Sequence, residues 1–504
     1  MAEEVELKLA LAEAHQARFL RHPLLKQALE RHVDILDNIY YDTADLALRR
    51  RGIALRLRRN ARGWLQTVKL AGASTAGLSS RPEWEVPYAG HFDFSAIDQP
   101  AVRAWLQRPK LLARIIPICE TRFRRITWKF AASPGAVLLT LDRGWIIANG
   151  RREAISEVEL ELAGAPVHAI FGIATQFAQR AALTPSVLSK AERGYRLYLG
   201  TPPAPFKAGA VALTATMPPF EAFRRIALSC LEHLQQNHHG ALTSDDPEYI
   251  HQMRVATRRL RAALRLFAPV LPADLADSLQ APLSGLMMHL GRARDLDVLL
   301  TEIANPVLSA LPNEPRLPAL ASDITNRRYA AREQALALLA APDYGRTLLA
   351  ALESLHPMPA GDAPAIPLHG FAAERLQRLR RKLRRLAAAA QLDQPTSLHA
   401  LRIGVKRLRY ALEFFSPLAS GRGFSRPLRH LAAAQDTLGQ LNDLTNAGAL
   451  LMDCAGEDPR LREAVTLIGG WHGPRYASLL ASIAEQRVGL SRLHLHQLAA
   501  RHVP

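Results

Sequence analysis

"HQMRVATRRLRAALRLF" fills residues 251–267, and "HALRIGVKRLRYALEFF" fills residues 399–415. Each opens on a histidine, runs through arginines and closes on leucines and phenylalanine. The two stretches lie 148 residues apart (399 − 251). That offset, kept without a gap, pairs Arg254 with Arg402, Arg259 with Arg407, Leu260 with Leu408, Arg261 with Arg409 and Phe267 with Phe415. It still holds at "LGRARDLD" from Leu290 against "LGQLNDLT" from Leu438, where Gly291 meets Gly439 and Asp295 meets Asp443. Register kept over that distance marks two copies of one multi-helix unit.

On a helix, His251, Arg254, Arg258, Arg261 and Arg265 are spaced 3, 4, 3, 4 and share one face. Met253, Thr257, Leu260, Leu264 and Phe267 fall on the neighbouring face. The second copy repeats the pattern, with His399, Arg402, Lys406 and Arg409 beside Leu401, Val405, Leu408, Leu412 and Phe415. One stripe is expected to pack into a bundle while the cationic stripe lies alongside it. A solvated helix face mixes charge signs to gain i,i+4 pairs, yet Arg254 to Arg265 contains no acid. Arginine's planar fork suits phosphate oxygens, so the stripe points to a phosphate polymer rather than to bulk solvent. A further basic run, "RLQRLRRKLRR" (375–385), precedes the second copy.

Outward from this repeat the text changes. Residues 201–219, "TPPAPFKAGAVALTATMPP", read as a linker. Before it, short alternating runs such as "VELKLAL", "GIALRLRRN", "GWLQTVKLAG", "EWEVPYA" and "SEVELELA" read as strands between turn residues. Helices are expected near Leu24–Val33 and over Val167–Ala181. The expected fold is an N-terminal antiparallel β tunnel or barrel (α+β), followed by an all-α domain of two repeated helical bundles. The boundaries are 1–200, a linker at 201–217, and 218–504, with repeats at about 218–356 and 368–504.

The 504 residues carry a formal charge of +18, which calls for a polyanionic partner: nucleic acid, an anionic membrane surface or polyphosphate. Three scattered cysteines argue against a disulfide framework and for a reducing compartment. The acidic start "MAEEVELKLA" is unlike a signal peptide, and no long apolar run appears. The expected location is the cytoplasm. There is no Walker loop, no nucleophilic triad and no zinc-spaced cluster.

The strands carry a second pattern. Glu4, Glu6 and Lys8 alternate and point to one side of a strand. Arg56 and Arg58, Lys69, Glu83 and Glu85, Arg122 and Arg124, and Glu157, Glu159 and Glu161 do the same on later strands. If the strands close into a barrel, this face is the lumen. Clustered carboxylates there would bind a hard divalent cation, Mg²⁺ or Mn²⁺, and the cations would hold phosphate oxygens. Metal-bridged phosphoryl transfer needs those parts and little else.

These residues resemble two families. E-x-E-x-K at Glu4–Lys8, "YYDT", "LRLR", the lysine strand, "LDRG" with Asp142, "EVELEL" and "SKAERGY" resemble the CYTH domain of the triphosphate tunnel metalloenzymes. The two helices of form H-x-x-R-x-x-x-[RK]-R-L-R are similar to those of the CHAD domain, with Lys406 in place of arginine and Asn442 opposite Arg294 as departures. The first resemblance implies an eight-stranded tunnel that hydrolyses triphosphates. Glu4, Glu6, Glu157, Glu159 and Glu161 would be metal ligands. Lys8, Arg56, Arg58, Lys69, Arg122, Arg124, Lys190 and Arg193 would grip substrate, with Glu4, Glu6, Lys8, Arg56, Arg58 and Lys69 at the reacting centre. The second implies paired four-helix bundles that bind inorganic polyphosphate through His251, Arg254, Arg258, Arg261, Arg265, His399, Arg402, Lys406 and Arg409.

The resulting expectation is a metal-dependent inorganic triphosphatase that yields pyrophosphate and phosphate, with an association with polyphosphate granules. Alternatives are a related triphosphate enzyme (adenylate cyclase or thiamine triphosphatase) and a non-catalytic polyphosphate-binding adaptor. Neither a membrane nor specific nucleic-acid binding is expected.

Overall fold

A computed structural model of the chain describes residues 3–60, 63–356, 366–419 and 423–495, with the side chains of residues 3, 4, 60 and 73–75 outside the description. Two compact units emerge. One holds residues 1–206 together with 238–242 and 339–356; the other holds 207–237, 243–338 and 357–504.

Ten antiparallel strands build the first unit: β1 (Glu3–Leu11), β2 (Glu30–Thr43), β3 (Ile53–Asn60), β4 (Gly63–Leu70), β5 (Ala73–Thr75), β6 (Leu78–Pro87), β7 (Ile115–Ala131), β8 (Ala136–Ala148), β9 (Arg151–Ala163) and β10 (Leu183–Pro185). Their order is β10-β1-β9-β8-β7-β2-β3-β4-β6-β5, and β1 also pairs with β6. That extra pairing closes eight strands into a barrel, with β10 and β5 outside the ring. Alternation then sorts the side chains. Leu7, Leu9, Leu55, Val68, Leu139, Leu141, Val158 and Leu160 lie on the outer face and are fully buried. Part of this face packs on Phe94, Ile97, Leu106 and Leu111. The apolar core therefore sits outside the wall, and the charged face is left for the lumen.

Helices complete the unit. Val167–Ala178 appears as expected, ending three residues before the pattern's end at Ala181. The helix expected near Leu24–Val33 does not form: Pro23–Gln27 is a short 3₁₀ turn, and the chain then enters β2. The leucine spacing there imitates a helix, but fourteen residues of pairing with β7 override it. At one end of the barrel the inward positions turn apolar. Leu36, Phe123, Ile146 and Ile155 there pack against Leu197 of the helix Lys190–Leu199, which covers that end. The approach is close enough that a Cβ at Gly194 would meet the Cys119 sulfur at 2.2 Å. A helix from far along the chain, Pro342–Leu355, also belongs to this unit. Its Gly345 lies so near β10 that a Cβ would meet the Leu183 carbonyl oxygen at 1.9 Å.

The second unit is all-helical. The helices Pro247–Phe267 and Pro395–Phe415 have 21 residues each and start 148 apart, and each runs into a three-residue 3₁₀ turn. The same offset extends to the last helix of each copy: buried Leu317, Leu320 and Ile324 of Arg316–Ala340 match Val465, Ile468 and His472 of Pro459–Ser491. The expected apolar stripes, Met253 to Phe267 and Leu401 to Phe415, are buried. Among the described residues no single helix is long and apolar enough to cross a membrane. One bent pair, Arg316–Ala340 with Pro342–Leu355, meets that test only across a 56° bend.

Candidate functional site

Strand register assembles the lumen. Glu6 stands opposite Glu161, and Lys8 opposite Glu159, on β1 and β9. Asp142 stands opposite Glu157 on β8 and β9, and Arg125 opposite Asp142 on β7 and β8. Across the barrel Arg56 pairs with Thr67, and Lys69 with Glu83. The enclosed cavity measures about 490 Å³. Its charged lining is Lys8, Arg56, Arg58, Lys69, Arg81, Arg125 and Lys190, against Glu6, Glu83, Glu85, Glu159 and Glu161. Asp142 and Glu157, which pair with Lys190 just behind this lining, bring the carboxylates to seven against the seven cations.

The carboxylates fall into two classes. Asp142, Glu157 and Glu159 offer oxygens within 4.8 Å of one another, a spacing that a metal could bridge. Protein cations already occupy that position. Lys190 contacts all three, at 2.7 Å for Asp142 and 3.0 Å for Glu159, and Arg125 reaches Asp142 at 2.6 Å and Glu159 at 2.7 Å. Burial alone would raise the Glu159 carboxyl, but Lys190, Arg125 and Lys8 hold it well below the usual carboxylate range. Burial likewise opposes charge on Lys190, and Asp142, Glu157 and Glu159 keep its ammonium above the ordinary lysine range. This is a buried ion-pair network that fixes Lys190.

The second class is Glu6 with Glu161. Two like charges directly opposite across a strand pair are unfavourable unless a cation lies between them or beside them. Lys8 and Arg81 stand only loosely off Glu6, at 3.9 and 3.5 Å. Glu6 and Glu161, with Glu159 beside them in the lining, form an all-oxygen set with the donor chemistry of a hard divalent cation. The residues present fit such an ion. Glu4 pairs through its backbone with Arg81, and its side chain lies outside the described residues.

On the opposite wall, Lys69 binds Glu83 at 2.9 Å, Arg56 approaches it at 3.7 Å, and Thr67 donates to Glu85 at 3.1 Å. Arg58 donates to the Asn38 side chain at 3.2 Å. Burial, with Arg56 and Arg125 nearby, pushes it down to about 10. The helix Lys190–Leu199 begins at the cavity, its first turn capped by the Ser189 hydroxyl at 3.1 Å from the Glu192 N–H. A helix N-terminus adds partial positive charge and free N–H groups there. Tyr40 and Phe123 are the aromatic residues of the lining, with Arg125 and Lys190 over the Phe123 ring.

The structure thus brings Glu6, Lys8, Arg56, Arg58, Lys69, Glu159, Glu161 and Lys190 together. It does not bring Arg122, Arg124 or Arg193. Arg122 and Arg124 are exposed on the outer face, Arg122 beside Asp37 at 3.3 Å. Phe123 and Arg125 have the inward parity instead. Arg193 points away to Glu153 at 2.6 Å and Glu157 at 3.2 Å. Glu157 is spent on Lys190 and Arg193 and does not line the cavity. Asp42 of "YYDT" is structural, accepting from the N–H groups of Thr43, Leu48 and Arg49 at 2.7–2.9 Å. Sequence reasoning missed Arg81 and Arg125. Arg81 has the parity of Glu83 and Glu85, so alternation would have found it; Arg125 needed the pairing with Asp142.

In the helical unit the two cationic stripes converge. Arg258 donates to the Tyr410 hydroxyl at 2.5 Å. Burial, then Arg258, Arg402, Arg254 and Arg265, press Lys406 down to about 7. Burial and Arg294 lower His251. Acids from a neighbouring helix supply limited relief, with Asp295 at 3.2 Å from Arg254. Like charges gathered this closely on half-buried positions destabilise one another until an anion arrives.

Family models match both halves: the CYTH domain over residues 2–195 and the CHAD domain over 225–452. The inorganic triphosphatase of Haemophilus influenzae is 29% identical over 197 residues, which are 39% of this chain and 55% of that protein. The chain thus spans about half the length of that curated relative. The crystal structure of the CHAD domain from the plant Ricinus communis is 38% identical, with a TM-score of 0.52, and the match covers 59% of this chain and 99% of that one. The chain is therefore a CYTH domain followed by a CHAD domain, and its helical half belongs to the CHAD family.

Proposed function

We propose that the barrel hydrolyses inorganic tripolyphosphate to pyrophosphate and phosphate with a divalent cation, and that the helical unit binds long-chain inorganic polyphosphate. The observation that carries the first part is the segregation inside one cavity of Arg56, Arg58 and Lys69 from Glu6, Glu159 and Glu161. Glu6, Glu159 and Glu161, with Glu4, would hold Mg²⁺ or Mn²⁺, which when bound neutralises phosphate charge and polarises the phosphorus–oxygen bond. The chain's own part is positioning. Arg56, Arg58, Lys69 and the helix start at Lys190 grip successive phosphate oxygens, and the ion pairs of Arg125 and Lys190 keep those side chains in place before substrate arrives. Water adds to the terminal phosphorus, and the bridging oxygen departs with pyrophosphate. The similarity to the Haemophilus triphosphatase supports this choice of substrate.

An organic triphosphate such as ATP or thiamine triphosphate is a second reading, favoured by Tyr40 and Phe123 in the lining. Phosphate release from tripolyphosphate, long-chain polyphosphate, ATP and thiamine triphosphate, with Mg²⁺, Mn²⁺ or EDTA, separates the readings. Highest kcat/KM on tripolyphosphate is expected. Preference for ATP or thiamine triphosphate would replace the first reading with the second, and binding without turnover would make the protein an adaptor. For location we infer the cytoplasm, at polyphosphate granules. The convergence of the two stripes supports this, and a fluorescent fusion that ignores the granules would refute it.

A further inference from the structure

Around the leading histidine the two copies of the helical unit differ in chemistry. The first copy carries Glu248 and Arg294, whose charges act on His251, and the pair Asp297 and Arg328. The 148-residue offset puts Thr396, Asn442, Thr445 and Tyr476 at the same positions beside His399. Two cations and two acids have become four neutral polar side chains, with no change in net charge. In the first copy Arg328 donates to the buried Asp297 at 2.5 Å, and Glu248 accepts from Gln252 at 2.6 Å. In the second copy the counterpart ion pair is gone, and a cavity of about 210 Å³ is left between His399, Arg402, Asn442, Asn446 and Tyr476.

That cavity is large enough for a phosphate group with several waters, at about 30 Å³ of liquid per water. Among the described residues the only hydrogen bond made by its polar side chains is from the Thr445 hydroxyl to the Leu441 carbonyl, at 2.9 Å. The Nε of Arg402 is buried there without a hydrogen-bond partner. Arg402 also belongs to the cationic stripe, so the cavity opens where the polymer surface is proposed to run.

We propose that this cavity receives a terminal phosphate group, so that the second copy reads the end of a polyphosphate chain while the first copy binds only its interior. The assignment rests on the polyphosphate reading of the helical unit. A terminal phosphate carries more charge and more acceptor oxygens than an internal one. It suits a pocket with one guanidinium, one imidazole and several neutral donors. An internal phosphate, bridged on both sides, cannot turn three oxygens into one recess. Free orthophosphate shares this chemistry with the chain end, and competition separates the two sources.

The test uses the full-length protein in EDTA with three probes: long-chain polyphosphate with free ends, the same polymer with both ends capped as alkyl phosphoramidates, and orthophosphate. The variant T445D/Y476R rebuilds the ion pair of the first copy without changing net charge. N446V, which installs the first copy's residue at one donor position, is the second variant. Wild type should bind the free-ended polymer about tenfold tighter than the capped one, the worth of a single hydrogen bond to a charged group. Both variants should lose that preference and keep wild-type affinity for the capped polymer. The tunnel is unaltered in all three proteins, so its own contribution cancels. Orthophosphate that competes with free ends and not with capped polymer shows that the cavity takes the free ion too; no competition assigns it to chain ends. Equal wild-type affinity for both polymers, or a preference that survives both variants, overturns the proposal. If neither polymer binds, it is the polyphosphate reading itself that fails.

Discussion

Raising the pH from 6 to 8 should weaken long-chain polyphosphate binding about tenfold, and one side chain should be responsible. Lys406 stands where the first copy has Arg258. Burial and then Arg258, Arg402, Arg254 and Arg265 hold its ammonium down to about 7 in the free protein. A bound polyanion stabilises the charged form and moves it back up, so binding takes up a proton. Across that range the charged fraction of the free side chain falls from about nine-tenths to about one-tenth, which sets the tenfold figure. Lys406→Arg supplies a guanidinium that stays charged throughout, and retains His251 and His399. The assay is fluorescence anisotropy of end-labelled polyphosphate at fixed ionic strength. The wild type should show the extra pH dependence and Lys406→Arg should not. Parallel curves for the two proteins would refute the reasoning. Stability of the free protein runs the other way. The folded form disfavours the charged lysine, so this group's destabilising effect is full below pH 7 and fades as the pH rises toward 10.5.

Other expectations concern the barrel. Glu6→Gln should lower turnover of tripolyphosphate by two or more orders of magnitude with the melting temperature nearly unchanged, since it removes charge from the carboxylate set and only the long contacts to Lys8 and Arg81, at 3.9 and 3.5 Å; an active variant would place the cation elsewhere. Glu159→Gln should also unfold more easily, by about 3–5 kcal/mol, because Lys190 and Arg125 lose a buried counter-charge, and a denaturation midpoint equal to wild type would contradict the network. Arg58→Ala should lower kcat/KM while Arg124→Ala leaves it unchanged, and the reverse would mean that the inward parity of β7 is wrong. Gly345→Val should cost about 1–3 kcal/mol of stability by forcing the helix Pro342–Leu355 off β10, readable as a lower melting temperature.

Alternation with period two made the lumen legible, because a residue's parity on a strand fixes its face once one member is placed. Glu6, Lys8, Arg56, Arg58, Lys69, Glu159 and Glu161 follow from that rule alone. It failed at "RFRR", where arginines occupy both parities. The choice there is made by Phe123 under Lys190 and by Arg125 facing Asp142, contacts between strands that no local pattern encodes. Lys190 and Arg193 sit one turn apart, yet only the first enters the cavity; which one does depends on where the helix lands across the barrel mouth. The helical copies were legible from the offset of 148, while the exchange of an ion pair for a cavity needed the packed bundles. Residues 24–33 misled because leucine spacing cannot show that a long partner strand awaits.

The central claim is that carboxylates and cations in one lumen hydrolyse a triphosphate with a divalent cation. Its most direct test is the initial rate of orthophosphate release from tripolyphosphate by the full-length protein, titrated with Mg²⁺ or Mn²⁺ after chelation. The rate should rise saturably from near zero, with one pyrophosphate formed per phosphate. An equal rate in EDTA, or no release at any metal concentration, would contradict it.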